Sequence, residues 1–310
     1  MRAFAFDDYA TPGSIHELPD PQPAEGEVRV RIAAASINPF DNFVVQGYMK
    51  ERMPSSFPLV PCGDLSGTVD QVGAGVEGLA PGDPVFGVLG WGGKGTLAEL
   101  AVAKPDTLAR RPGALDDKAA AALPLAGVSA LMSVDAAGVK RDDVVVVIGA
   151  SGGIGGYAVQ LAALRGAHVI GVTSSGRVDY VKSLGAAEVV DRSAGDLVAA
   201  IKARHPDGVD VLIDTASDAA GMAHTVGVVK KGGVATSMRG AAQGEALANH
   251  GVKGVNIQTQ VTTERLEHLG ALSAEGKLKP PTIHAIALAD SNEGFKSIGK
   301  TGGKIVITIA

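Results

Sequence analysis

The chain has 310 residues with a formal net charge of −5, and it is 45% hydrophobic against 20% charged. That is long enough for about two domains and apolar enough to bury a core rather than stay disordered. An acidic balance without a basic run argues against a nucleic-acid partner. The one cysteine, Cys62, excludes intramolecular disulfides and cysteine-rich zinc sites.

Residues 1 to about 120 read as mostly β. Met1 to Phe6 is cut short by Asp7-Asp8, too early for the apolar core of a signal peptide. Glu27 to Ile32 alternates polar and apolar residues, as a half-buried strand does. Gly67 to Gly73 predicts a second short strand. Pro81-Gly82-Asp83-Pro84 is turn chemistry before the apolar run Val85 to Leu89. Short strands with Gly and Pro punctuation suggest a small irregular barrel. The glycine-rich stretch Trp91 to Thr96 is expected to be a flexible loop, with Trp91 shaping a substrate pocket or else serving as a core or hinge residue.

Near residue 117 the texture changes. Asp116-Asp117 opens an Ala-rich run as acids open a helix. The longest uncharged stretch, between Lys118 and Asp135, contains Pro124 and is too short to span a bilayer. A soluble, cytoplasmic protein with no membrane partner is the expectation. Val144 to Ile148 is a continuous β-branched run, suited to a strand buried on both faces. A helix over 157–165, a strand over 168–172, a helix over 178–184, a short strand over 188–191, a helix over 197–204 and strands over 209–214 and 233–238 follow. This alternation predicts a doubly wound parallel sheet with helices on both faces. The last stretch predicts a helix over 263–274, a strand over 283–288, a short helix over 292–298 and a terminal strand over 304–309.

The sharpest motif is Gly149-Ala150-Ser151-Gly152-Gly153-Ile154-Gly155, which follows a buried strand and opens a helix. In the G-x-G-x-x-G frame Ala150 holds the first position. Gly152 lets the backbone approach a pyrophosphate, and Gly155 lets the helix lie close on the strand. The free N–H groups of the first helical turn complete an anion site, with Ser151, Gly153 and Ile154 part of it. The plain alternative is a tight strand–helix turn with no ligand. About 20 residues on, where an NAD site carries an acid for the ribose 2′-hydroxyl, the chain reads Thr173-Ser174-Ser175-Gly176-Arg177. Hydroxyls and a guanidinium suit a 2′-phosphate, so NADP(H) is the expected cofactor. A helix-start role for Ser174, Ser175 and Arg177 is compatible with this.

Five segments together resemble the medium-chain dehydrogenase/reductase superfamily in its zinc-free NADPH:quinone oxidoreductase branch. They are Ala35 to Asp41, Pro61 to Val69, Leu123 to Ala130, the glycine turn, and Gly302 to Val306. The resemblance covers essentially the whole chain. It implies an α/β fold in which a Rossmann doubly wound parallel sheet, residues 123–262, is inserted in a GroES-like, mostly β catalytic domain made of residues 1–122 and 263–310. Nicotinamide and substrate would share the interdomain cleft. Asn38, Asp41 and Tyr48 would face that pocket as catalytic candidates. Asn38 and Asp41 also suit a turn and a helix N-cap, and Tyr48 suits a pocket wall. Ser129, Asp214 and Ser237 would join the cofactor contacts.

Zinc enzymes of the superfamily carry a Cys where this chain has Asn38, and Gly-His-Glu where it has Cys62-Gly63-Asp64. None of the seven histidines forms an H-x-x-H or H-x-x-x-H pair, so no metal ligands are assigned. Cys62 reads as a small buried hydrophobe. The resemblance implies hydride transfer from NADPH to a quinone or an α,β-unsaturated carbonyl, in a homodimer paired through an edge strand taken as Val234 to Met238. A non-catalytic NADPH-binding sensor or scaffold, or a zinc-type alcohol dehydrogenase, are the alternatives.

Overall fold

A computed structural model describes residues 1–90 and 94–309. Trp91 therefore lies outside the described residues. The chain divides into two units, Met1–Leu125 with Val261–Gly276 and Pro280–Ala310, and Ala126–Gln260 with Lys277–Lys279. No helix among the described residues is long and apolar enough to cross a membrane.

The first unit opens with the hairpin of β1 (Arg2–Ala5) and β2 (Ser14–Glu17). Then come β3 (Val28–Ile37), α1 (Pro39–Val45), β4 (Asp64–Val72), β5 (Pro84–Val88), β6 (Leu100–Ala103), β7 (Leu108–Arg110) and α2 (Asp117–Ala121). The alternation foreseen in β3 is real. Val28, Val30 and Ile32 are buried, while Arg29 and Arg31 both reach Asp70 on β4, at 2.7 and 2.6 Å. The Arg29 hydrogen bond, helped by Arg31, holds the Asp70 carboxyl below its ordinary value of 3.8 against a smaller effect of burial. Within the loop expected to be flexible, Gly95 and Thr96 donate backbone hydrogen bonds to Val60 and Pro61. Thr96 is fully buried, so this end of the loop is pinned rather than free.

The long helix α3 (Pro124–Ala136) leads into the second unit. There β8 (Val144–Ile148), α4 (Gly153–Leu164), β9 (His168–Thr173), α5 (Val178–Ser183), β10 (Glu188–Asp191), α6 (Leu197–Arg204), β11 (Val209–Asp214), α7 (Ala219–Thr225), β12 (Val229–Ser237), α8 (Glu245–His250) and β13 (Lys253–Asn256) alternate. The strands form one parallel sheet in the order β10-β9-β8-β11-β12-β13, the doubly wound arrangement with its switch point between β8 and β11. Val145, Val146 and Val147 are fully buried, as a central parallel strand requires.

Two readings need correction here. α8 and β13, between the expected strand over 233–238 and the expected helix over 263–274, were not among the elements expected from the sequence. Three of the four β13 residues are exposed and none is buried, and a strand without a buried face leaves no hydropathy signal. Val234 to Met238 is also not an edge. Most of it belongs to β12, which pairs with β11 on one side and β13 on the other.

The chain then returns to the first unit with α9 (Thr263–Ala274), β14 (Ile283–Ala287), α10 (Ser291–Ser297) and β15 (Lys304–Thr308). The C-terminal strand β15 pairs antiparallel with β3. The sheet order is β14-β15-β3-β4-β5-β7, with β6 also on β3. Both ends of the sequence thus build one sheet, over a core that includes Val30, Leu65, Val85 and Ile307.

Candidate active site

In the second unit the glycine turn connects β8 to α4. Gly149 has φ +77, a left-handed conformation open chiefly to glycine. A Cβ at Gly155 would collide with the Gly149 carbonyl oxygen, so the helix can lie this close to the turn only with glycine there. Gly152 differs. Among the described residues, a Cβ there would meet only the Gly149 oxygen, at 3.3 Å, so they leave the space before it open. Gly152 is the N-cap of α4 and has no side chain to cap it. By their place in the first turn, the N–H groups of Gly153, Ile154 and Gly155 have no intrahelical acceptor.

The other expected cofactor residues cluster at the carboxyl edge of this sheet. Thr173, 3% exposed, donates its hydroxyl to Ser151 Oγ at 2.8 Å, so it braces the glycine turn. Ser175 to Arg177 forms a 3₁₀ turn whose preceding residue, Ser174, makes no side-chain cap. Asp214 Oδ1 accepts the N–H groups of Ala216 and Ser217, at 2.9 and 2.8 Å, while its buried Oδ2 has no partner among the described residues. Ser237 Oγ accepts from the backbone of Arg239 and Ala241, both at 3.1 Å, which makes it a brace for that loop. Ser129 is buried and shares a 2.7 Å hydrogen bond with Thr259.

In the first unit, strand register assembles a buried polar cluster. Ser36 on β3 lies opposite Asp64 on β4, and Ile305 on β15 lies opposite Ile37, which carries Lys304 to Asn38. Lys304 Nζ donates to Asn38 Oδ1 at 2.6 Å and to Asp64 Oδ2 at 3.2 Å. Asn38 Nδ2 donates to the same Asp64 oxygen at 2.8 Å, and Ser36 Oγ at 2.6 Å. The Leu125 N–H takes Asp64 Oδ1 at 2.9 Å. Lysine has no acceptor, so Oδ1 of Asn38 must face it. One Nδ2 hydrogen is committed to Asp64; the second has no acceptor among the described residues.

Asp41, fully buried, accepts the Asn38 backbone N–H at 2.7 Å. It therefore holds the start of α1 from position N3, and Asn38, not Asp41, is the N-cap. Burial pushes the Cys62 thiol well above its usual range, the Asp41 and Asp64 carboxylates add to this, and Lys304 opposes it. Tyr48 stands apart from the cluster. It is 74% exposed and meets Phe43 ring to ring at 6.1 Å.

Residues 24–113 match the family model of the alcohol dehydrogenase GroES-like domain, and residues 153–269 match that of the zinc-binding dehydrogenase. A chloroplast envelope quinone oxidoreductase homolog of Arabidopsis thaliana is 33% identical over 326 aligned positions, covering 99% of this chain and 98% of that protein. The chain belongs to the medium-chain dehydrogenase/reductase superfamily, in its quinone oxidoreductase branch. A 2-methylene-furan-3-one reductase of Solanum lycopersicum is 32% identical over 294 positions, 90% of this chain and 71% of that protein. The solved quinone oxidoreductase of Coxiella burnetii superposes with a TM-score of 0.90 at 28% identity, over 100% of this chain and 99% of that one.

The chain is thus an oxidoreductase of the quinone and enone kind. Medium-chain dehydrogenases/reductases use nicotinamide cofactors, and the second unit fits such a group. Among the described residues, the space before Gly152, the first-turn N–H groups of α4 that lack an intrahelical acceptor, and the orphaned Asp214 Oδ2 offer an anion cradle beside a hydroxyl acceptor. Sequence reasoning missed Lys304 and Asp64 as partners of Asn38. A lysine opening the strand Lys304-Ile305-Val306-Ile307 was the available signal, because a buried ammonium needs a partner.

Proposed function

We propose that the chain is an NADPH-dependent, zinc-independent reductase of quinones or α,β-unsaturated carbonyls. The single observation that carries this is the buried network of Lys304, Asn38 and Asp64. It does not fit a catalytic zinc. A lysine ammonium lies 2.6 Å from the Asn38 oxygen, and the nearby thiol is held in its protonated form by burial and two carboxylates. Zinc takes neutral imidazoles, thiolates or carboxylates, commonly three from the protein at a catalytic site, and an adjacent ammonium repels it.

A bound nicotinamide supplies the hydride. The chain's own residues would then bind the acceptor and hold the negative charge that collects on its carbonyl oxygen. Asn38 Nδ2 has one hydrogen to offer, and Lys304 on Oδ1 polarises the amide and makes that hydrogen a stronger donor. Asp64 and Asp41 keep the amide and the start of α1 in place. Ser174, Ser175 and Arg177 would receive a 2′-phosphate, with no carboxylate before Asp179 to repel it. The reading includes a homodimer, now through the β13 edge, which a monomer in size-exclusion chromatography contradicts.

The test is NADPH oxidation against a panel of quinones and 2-alkenals, in EDTA, with NADH alongside. Turnover in EDTA with a preference for NADPH supports the reading. Activity lost in EDTA and restored by zinc overturns it. Asn38 is only 6% exposed, which also suits a non-catalytic NADPH-binding protein; tight NADPH binding with no turnover on any acceptor favours that alternative.

A further inference from the structure

We propose that His168, Glu188 and His205 form a site for one divalent transition-metal ion of the zinc class, separate from the redox site. The three residues are distant in sequence, and the parallel sheet of the second unit brings them together. His168 is the first residue of β9 and Glu188 the first of β10. The two strands are parallel neighbours, so both residues stand at the amino-terminal edge of the sheet. His205 is the C-cap of α6, where the chain returns to that edge before β11.

Both imidazoles aim Nε2 at one carboxylate oxygen. His168 Nε2 lies 2.7 Å and His205 Nε2 2.9 Å from Glu188 Oε1. The ligand atoms all lie within 4.8 Å of one another. Zinc bound tetrahedrally at about 2.0–2.2 Å keeps its N and O ligands about 3.3 Å apart. The two Nε2–Oε1 distances must therefore open by roughly half an ångström, a side-chain adjustment at residues that all keep some solvent access. Ligation needs the Nε2 lone pairs, so each imidazole carries its proton on Nδ1 in the bound state. Water fills the remaining coordination positions.

Two imidazoles and one carboxylate select the zinc class over magnesium or calcium, which take oxygen ligands. Arg204 Nη1 holds the other carboxylate oxygen, Oε2, at 3.2 Å, which leaves Oε1 as the ligand atom. Its guanidinium also opposes a cation, but it is half exposed and can turn to solvent. The site lies far from the glycine turn. Thr173 stands at the opposite end of β9, five residue steps or roughly 17 Å away at about 3.3 Å per residue. The ion would therefore act as a clasp between β9, the edge strand β10 and the end of α6.

The experiment uses the untagged full chain, stripped with EDTA and exchanged into chelator-free buffer. Zinc is titrated by calorimetry, and cobalt by its visible absorption as a probe of coordination geometry. The expected result is one ion per chain and a raised Tm with metal. His168→Gln and His205→Gln should each weaken binding at least about tenfold, and His268→Gln, an exposed histidine on α9, should change nothing. Tm in EDTA checks folding, and Glu188→Gln serves should a histidine variant unfold. No saturable binding to wild type, or equal binding by the His168, His205 and Glu188 variants, overturns the proposal. NADPH turnover is not the readout, so this result stands apart from the fate of the redox reading.

Discussion

Lys304→Met tests the buried network most directly. Lys304 is 4% exposed and Asp64 fully buried. Methionine keeps much of the apolar stem and removes the charge. Asp64 Oδ2 would keep Ser36 and Asn38 as donors, and Oδ1 would keep the Leu125 N–H, but no cation would remain against it. Removing one partner of a buried ion pair costs about 3–5 kcal/mol. At about 2–4 °C per kcal/mol for a chain of a few hundred residues, Tm should fall by roughly 6–20 °C. Adding Asp64→Asn removes the stranded charge and should recover most of that loss, so the double variant will be more stable than Lys304→Met alone. Urea unfolding followed by circular dichroism on wild type, both singles and the double gives the coupling directly. A Lys304→Met cost under about 1 kcal/mol, or a double variant equal to the sum of the singles, would refute the argument. The same variant should lose turnover more than NADPH affinity, since the nucleotide is assigned to the second unit.

Other outcomes follow from single contacts. Arg177→Ala should weaken NADPH by about 10- to 150-fold, the worth of a charge-assisted phosphate contact at roughly 1.5–3 kcal/mol, and leave NADH nearly unchanged; equal losses would remove Arg177 from the 2′-phosphate site. Gly152→Ala should fold normally and lose dinucleotide affinity, because among the described residues its Cβ meets only one oxygen, at 3.3 Å. Gly155→Ala should instead lower Tm, because its Cβ runs into backbone; similar melting of the two variants would contradict this. Arg29 and Arg31 hold the Asp70 carboxyl below its ordinary 3.8, so that pairing stabilises the fold fully above about pH 4 and fades as pH falls through the lower folded value. Urea midpoints of wild type and Asp70→Asn should therefore converge on acidification below about pH 4. Cys62, buried and shifted upward, should resist iodoacetamide at neutral pH until the protein is unfolded; rapid labelling of native protein would show the thiol to be accessible.

The second unit was legible because its signals are local. A β-branched run, a glycine turn and a helix follow one another directly, and each is fixed by its own residues. The nucleotide turn needed no knowledge of partners, because the glycines are demanded by the backbone within that segment. The buried polar cluster of the first unit was less legible because register assembles it. Asn38 was singled out as a lone amide before proline, but its partner Lys304 is 266 positions away, and only the pairing of β15 with β3 brings them together. Thr173 shows the same limit. It was chosen for its chemistry, yet its hydroxyl is occupied by Ser151, a neighbour that sequence spacing does not reveal. β13 went unseen because an exposed edge strand carries no apolar period.

The histidine cluster changes how a bulk metal measurement should be interpreted. A zinc dehydrogenase and a zinc-independent reductase would ordinarily be separated by asking whether the purified protein contains stoichiometric zinc. Here His168, Glu188 and His205 would supply that zinc at the amino-terminal edge of the second unit's sheet, whereas Asn38, Asp64 and Lys304 belong to the first unit. Stoichiometry alone then merges two physically distinct cases. The discriminating measurement is turnover by His168→Gln in EDTA. If a resident zinc polarises the substrate oxygen, removing the clasp leaves the reaction sensitive to chelation. If Asn38 and Lys304 carry that charge, the variant loses its metal and keeps its rate. A zinc at the redox site and the lysine-centred network thus predict opposite pairings of metal content with activity.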